Sequence, residues 1–284
     1  MSFRNILVVL RVYPAGVAVG AVNSAVEIAA ALAPRVSAIA CPVKPRVPQS
    51  ILGNALLDVS GMVGEEYRKS EHDAERLLAA FEEAATRLGI FGERILRTCR
   101  PYEVPDVLAA CSRLRDLTIL PMPQGHYVSQ FDAQWNVETI LFQSGHPAIV
   151  VPESVTEPAA FETVIVAWDK SRAAARAIAD AIPILQSAKH VRVLTVTGEK
   201  SIELDHAGAE LAHHLAFHRV DCVIDEVHAG GRSIGAVLDA HVAMHGANLL
   251  VMGAYGHSRL REFVLGGATK SMLRRPSSVL FLSH

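Results

Sequence analysis

Hydrophobic positions along the chain fall into two alternating kinds of segment. Short, nearly continuous apolar runs of strand length are separated by longer stretches with helical spacing. In the second half the short runs are Thr163–Trp168, Val191–Thr197, Cys222–Val227, Leu249–Met252 and Val279–Leu282. Between them, "RAAARAIADAIPILQ" from Arg172, "LDHAGAELAHHLAFHR" from Leu204 and the stretch Ile234 to His245 read as helices. Runs that are apolar throughout, rather than alternating, suit strands buried on both faces of a parallel sheet. Strand–helix alternation with right-handed crossovers predicts a doubly wound α/β architecture.

The pattern occurs twice. "FRNILVVLR" at Phe3 parallels "FETVIVAWD" at Phe161, and each precedes a helical stretch, "VNSAVEIAAALA" in the first case. "RDLTILPM" at Arg115 parallels "ANLLVMGA" at Ala247; the first follows a helical stretch from Val104 to Ser112. Each half closes on a short apolar run, "AIVV" at Ala148 and "VLFL" at Val279. A repeat this long is a whole domain rather than a solenoid unit. The polar, proline-bearing "PESVTEPAA" reads as the connection. We expect residues 1–153 and 161–284 to be two tandem domains, with 154–160 as linker. The two final strands are expected to cover each other within one chain, since exposed sheet edges are usually covered.

Composition narrows the function classes. The formal net charge of -2 gives no electrostatic case for wrapping nucleic acid. Cys41, Cys99, Cys111 and Cys222 form no CxxC pair and lie in or near apolar runs, as reduced buried thiols do. Neither a secretory leader nor a membrane-length apolar run is evident, so the expected location is the cytoplasm, with no membrane partner. "EEYRKSEHDAERLLAAFEEAATRLG", from Glu65, is an amphipathic helix whose apolar stripe suits packing on a sheet. The long proline-bearing stretch before it, from Cys41, is a lid, a partner surface or a plain crossover. His214 and His218 are four apart on one helical face, a zinc-compatible spacing, but no acidic third ligand accompanies them. A solvated face is the expected reading there.

The densest chemical signal is "MGAYGHSRLREFVLGGATKS", Met252 to Ser271. It leaves a strand at Gly253, passes Gly256, His257, Ser258, Arg259 and Arg261, and enters a helix at Gly266 or Gly267. Backbone N–H groups at a helix N-terminus suit phosphate, and glycines let that backbone approach an anion. Tight packing of a strand-to-helix connection explains the same glycines equally well. The stretch is neither a Walker A loop nor a dinucleotide fingerprint. No nucleophile–base pair stands out, so no catalytic residue is assigned.

Gly253-x-x-Gly256, nine residues, then Gly266 resembles the G-x-x-G-x9-G-S/T pattern of the universal stress protein family. "VIVAWDKS" is similar to that family's first strand, ending in an aspartate followed by a serine, and "RRPSSVLFLS" to its final, dimer-forming strand. The chain thus resembles a tandem universal stress protein, two nucleotide α-hydrolase-like domains in a row. The resemblance implies that the second half binds ATP or a related adenine nucleotide, with magnesium as counter-ion. Asp169, beside Ala167 and Trp168, would face the ribose. Val196 would offer backbone groups to adenine. Met252, Gly253, Gly256, Arg259, Gly266, Gly267, Ala268 and Thr269 would hold ribose and phosphates. Gly267 stands where the pattern wants a hydroxyl, which Thr269 would replace. In the first half Arg11 takes the place of Asp169, Pro121 that of Gly253 and Gln124 that of Gly256. That half is expected to hold no nucleotide in the usual pose, with Gly125 and His126 open to a different ligand. The implied role is a regulatory or interaction module in the stress response, with an unidentified protein partner and at most slow ATP hydrolysis. The alternative is a scaffold, an intramolecular pseudo-dimer without nucleotide. A homodimer of the whole chain is compatible with either.

Overall fold

A computed structural model describes residues 3–14, 16–44, 59–123, 127–155, 161–198, 207–255 and 267–284. The first half contains β1 (Ile6–Leu10), α1 (Val19–Leu32), β2 (Val36–Ala40), α2 (Val59–Arg87), β3 (Phe91–Leu96), a 3-10 turn (Pro101–Glu103), α3 (Val104–Ser112), β4 (Leu117–Met122), α4 (Tyr127–Gln143) and β5 (Ala148–Pro152). The second contains β6 (Thr163–Ala167), α5 (Arg172–Leu185), β7 (His190–Thr197), α6 (Ala207–Phe217), β8 (Cys222–His228), α7 (Ile234–His245), β9 (Leu249–Gly253), α8 (Gly267–Arg274) and β10 (Val279–Ser283).

The ten strands form one sheet in the order β3-β2-β1-β4-β5-β10-β9-β6-β7-β8. Read from either end, each half has the same internal order. The pairing is parallel except at the centre, where β10 runs antiparallel to β5 with Leu280 opposite Val150 and Phe281 opposite Ile149. The expected mutual covering of the two last strands is therefore what holds the halves edge to edge. The doubly wound expectation is met in both halves, joined in a single sheet.

Strand formation follows from two-sided burial. β1, β2, β5 and β10 are buried at every position. Alternate residues feed two core layers, and each layer runs through both halves. One contains Val8, Phe81, Ile149, Val166, Ile178 and Phe281. The other contains Leu7, Leu108, Ile140, Val150, Leu238 and Leu280. Helix ends obey local chemistry: Ser171 and Ser233 cap α5 and α7 by accepting from the Ala174 and Ala236 N–H groups. Gly246 stops α7 in the left-handed conformation. Residues 156–160 of the expected linker and 45–58 of the proline-bearing stretch lie outside the described residues.

Candidate functional site

In an open α/β sheet, ligands bind beyond the carboxyl ends of strands where the strand order reverses. In the second half that point is β6, flanked by β9 on one side and β7 on the other. Ala167, Val196 and Ala268 are half-buried there, all against the same core layer, which also contains Met252. Trp168 packs instead against the opposite layer, while its N–H donates to Leu194 O at 2.9 Å and prolongs the ladder.

Asp169 is exposed at the strand end. Its Oδ1 accepts from the Ser171 N–H at 3.0 Å, and Lys170 between them takes a positive φ of 57°. The helix cap itself is Ser171, so Asp169 shapes the turn with one oxygen and stays open to solvent.

The glycines divide into two kinds. A Cβ on Gly253 would lie 2.5 Å from Ala173 C and within impossible range of the Ala174 backbone nitrogen. The bare backbone there is filled by the first turn of α5, which is the packing explanation of that glycine. Gly267 is exposed and opens α8, and a Cβ added to it would meet nothing within 4 Å. Backbone N–H groups in the first turn of a helix are of the kind that suits an anion. Thr269 is buried, and its Oγ1 accepts from the Tyr255 N–H at 3.4 Å. Gly256, Arg259 and Gly266 lie outside the described residues, as do His257, Ser258 and Arg261.

Tyr255, which sequence reasoning missed, anchors the start of the glycine stretch. It is buried at φ 56°. Its hydroxyl donates to Glu138 Oε1 of α4, in the other half, at 2.6 Å. Its ring lies 5.1 Å from that of Phe142, which also contacts the His284 ring. Burial and then the neighbouring Glu138 carboxylate push the phenol well above its ordinary pKa.

The corresponding edge of the first half is built differently. Arg11 is buried. With Val12, Tyr13, Cys41 and Asn136 it lines a cleft of about 20 Å³, room for about one water and far short of a nucleotide. Pro121 is buried within β4. Gln124, Gly125 and His126 lie outside the described residues. His214 is exposed on α6, and His218 follows one residue past its end, the two rings 4.9 Å apart.

Two doubly wound domains sharing one sheet, each with a switch point at its first strand, define the class of molecule. Among solved structures the chain is similar to a universal stress protein from Archaeoglobus fulgidus DSM 4304, with a TM-score of 0.69 and 14% identity over 98% of this chain and 95% of that one. A protein assigned to the same family from Pseudomonas aeruginosa UCBPP-PA14 matches at a TM-score of 0.55 and 14% identity, covering 99% and 93%. The cytoplasmic domain of a prokaryotic cation chloride cotransporter matches at a TM-score of 0.51 and 11% identity, covering 99% and 95%. No family model and no curated protein matches. The chain has the universal stress protein fold in tandem. No helix among the described residues is long and apolar enough to cross a membrane.

Proposed function

We propose that the second half binds ATP or a related adenine nucleotide at the carboxyl edge of β6, β7 and β9. The chain then serves as a regulatory or interaction module of the stress-response type. The observation that carries this reading is the pairing of two features on that edge. Asp169 offers an exposed carboxylate able to accept from ribose hydroxyls. Gly267 opens a helix with an exposed, uncrowded backbone suited to phosphate. Ala167, Val196 and Met252 supply the apolar floor for a base. Magnesium would accompany the phosphates, and Arg259 and Gly256 belong to the stretch that would complete their cradle.

The scaffold reading has its own support. Packing against α5 accounts for Gly253 without a ligand, and the β5–β10 junction makes the chain a pseudo-dimer by itself. The likeness to a transporter's cytoplasmic domain adds a second setting for the tandem fold.

Denaturing protein purified without added nucleotide and identifying released small molecules by mass spectrometry separates the two. Calorimetric titration of stripped protein with magnesium ATP follows, with Asp169→Ala alongside. About one adenine nucleotide per chain, weakened at least tenfold in the variant, is the expected result. No released nucleotide and no binding heat at millimolar ATP would leave the scaffold.

A further inference from the structure

We propose that Asp225, His241 and His245 form a site for a divalent transition-metal ion of the zinc class, separate from the β6–β9 edge. Asp225 is on β8, and the two histidines are one turn apart on α7, from which His241 reaches the Asp225 carboxylate. Positions i and i+4 share a helical face. One donor atom from each of the three residues lies within 4.8 Å of the others. The imidazole rings are 4.4 Å apart, and His241 Nε2 is 2.9 Å from Asp225 Oδ2. Zinc bonds of about 2.0–2.2 Å place tetrahedral ligands about 3.4 Å apart, so rotation about the side-chain torsions is enough to close the set.

The surroundings suit a bound ion. His241 is buried, while Asp225 and His245 are half-buried, which leaves a fourth position toward water. Arg192 on β7 donates from Nε to Oδ2 and from Nη2 to Oδ1, each at 2.7 Å. The Nη2 bond would persist as an outer-shell contact orienting the carboxylate, while the lone pair that Oδ2 turns to His241 becomes the metal's. Two imidazoles and one carboxylate select zinc, cobalt, nickel or copper over magnesium or calcium. Arg192 precedes Val196 by four residues along β7, about 13 Å back from the carboxyl edge.

The fold does not require these groups. With Phe3 matched to Phe161, the strand registers place Ser37 where Arg192 stands and Ile95 where Asp225 stands. Matching α3 to α7 places Cys111 at the position of His241. Ile95 and Cys111 pack against the same core layer. By the same match Arg115 stands at His245, so the first half closes this corner with neither the carboxylate nor an imidazole. A salt bridge would explain Arg192 and Asp225 in the second half, but not His241 on the same carboxylate with the His245 ring beside it.

The test uses the full chain, dialysed against a chelator and free of nucleotide. Cobalt(II) is titrated as a spectroscopic probe and zinc by calorimetry. The expected result is one cobalt per chain with the intense visible bands of a four-coordinate site, displaced by one equivalent of zinc. His245→Ala, at the half-exposed end of α7, should weaken binding at least 100-fold. Arg192→Gln, which keeps a donor and removes a positive charge, should tighten it about tenfold. The paired change His214→Ala, His218→Ala should leave it unaltered. No cobalt uptake at about 100-fold excess, enough to fill a site of ordinary affinity, overturns the site. So does uptake that survives His245→Ala, or uptake that is lost with His214 and His218.

Discussion

At the end of β1 the chain takes residues 11–18 to reach the start of α1; at the end of β6 it takes only 168–171 to reach α5. That difference decides what each carboxyl edge looks like. The short connection lays the first turn of α5 onto β9, and only a residue without a side chain fits beneath it, at Gly253. The longer connection of the first half accompanies a buried proline at the matching place in β4. A glycine that resembles a phosphate-loop residue is thus explained by loop length. The two edges differ further in that Asp169 is exposed where the first half buries Arg11, and these are the differences on which the proposed nucleotide site rests.

The halves are joined edge to edge through the β5–β10 pair, and the largest effect is expected there. Phe281 is fully buried on β10 opposite Ile149. Phe281→Ala should cost about 3–5 kcal/mol through lost burial and a cavity. The chain has two tryptophans, one in each half, Trp135 and Trp168. Urea unfolding of single-tryptophan variants therefore reports each half separately. Because both core layers run through β5 and β10, both reporters should shift together. A shift confined to Trp168 would make the halves independent folding units.

Next in size is Gly253→Ala. Its Cβ meets backbone rather than a flexible side chain, so α5 must move, at about 1–3 kcal/mol. Gly267→Ala meets open space and should change stability by less than about 0.5 kcal/mol. Comparing urea midpoints of the two variants tests whether one glycine answers to packing and the other does not. Equal losses would remove the distinction.

Much of this was legible in the chain. In the second half β6, β9 and β10 were readable to within about a residue because two-sided burial writes continuous apolar runs. Helix α7 ended where Gly246 permits the left-handed turn, and α5 began where Ser171 caps it. The pairing of β5 with β10 was readable from the repeat and the need to cover edges. The site was less legible because its contacts join distant positions. Tyr255 and Glu138 are 117 residues apart, and nothing in either neighbourhood announces the other. Arg192, Asp225 and His241 come from three elements, and only the four-residue spacing of His241 and His245 hinted at a shared face. The reason for Gly253 was equally hidden, since it depends on where Ala173 and Ala174 come to rest.

The smallest effect probes the contact that makes the halves unequal. Tyr255 is held by Glu138 from the first half, whereas its counterpart, Pro123, has no hydroxyl to offer in return. Tyr255→Phe keeps the ring against Phe142 and removes one hydrogen bond to a charged acceptor, at about 1.5–3 kcal/mol if the bond is fully shielded. Glu138 is only half-buried and can recover water, so the expected loss is nearer about 1 kcal/mol. The pH dependence carries the sharper signature. In the unfolded chain the phenol titrates near about pH 10. In the folded chain, burial and the Glu138 carboxylate hold the proton on more tightly. Above that pH the unfolded state releases a proton that the folded state keeps, so stability falls as pH rises. The contribution is complete below the unfolded value and is lost on approach to the folded one. Urea midpoints between pH 9 and 11 (a window about one unit either side of the unfolded value) should fall for the parent chain. They should fall less steeply for Tyr255→Phe. Parallel slopes would mean that Glu138 does not hold the phenol, and the start of the glycine stretch would then be independent of the first half.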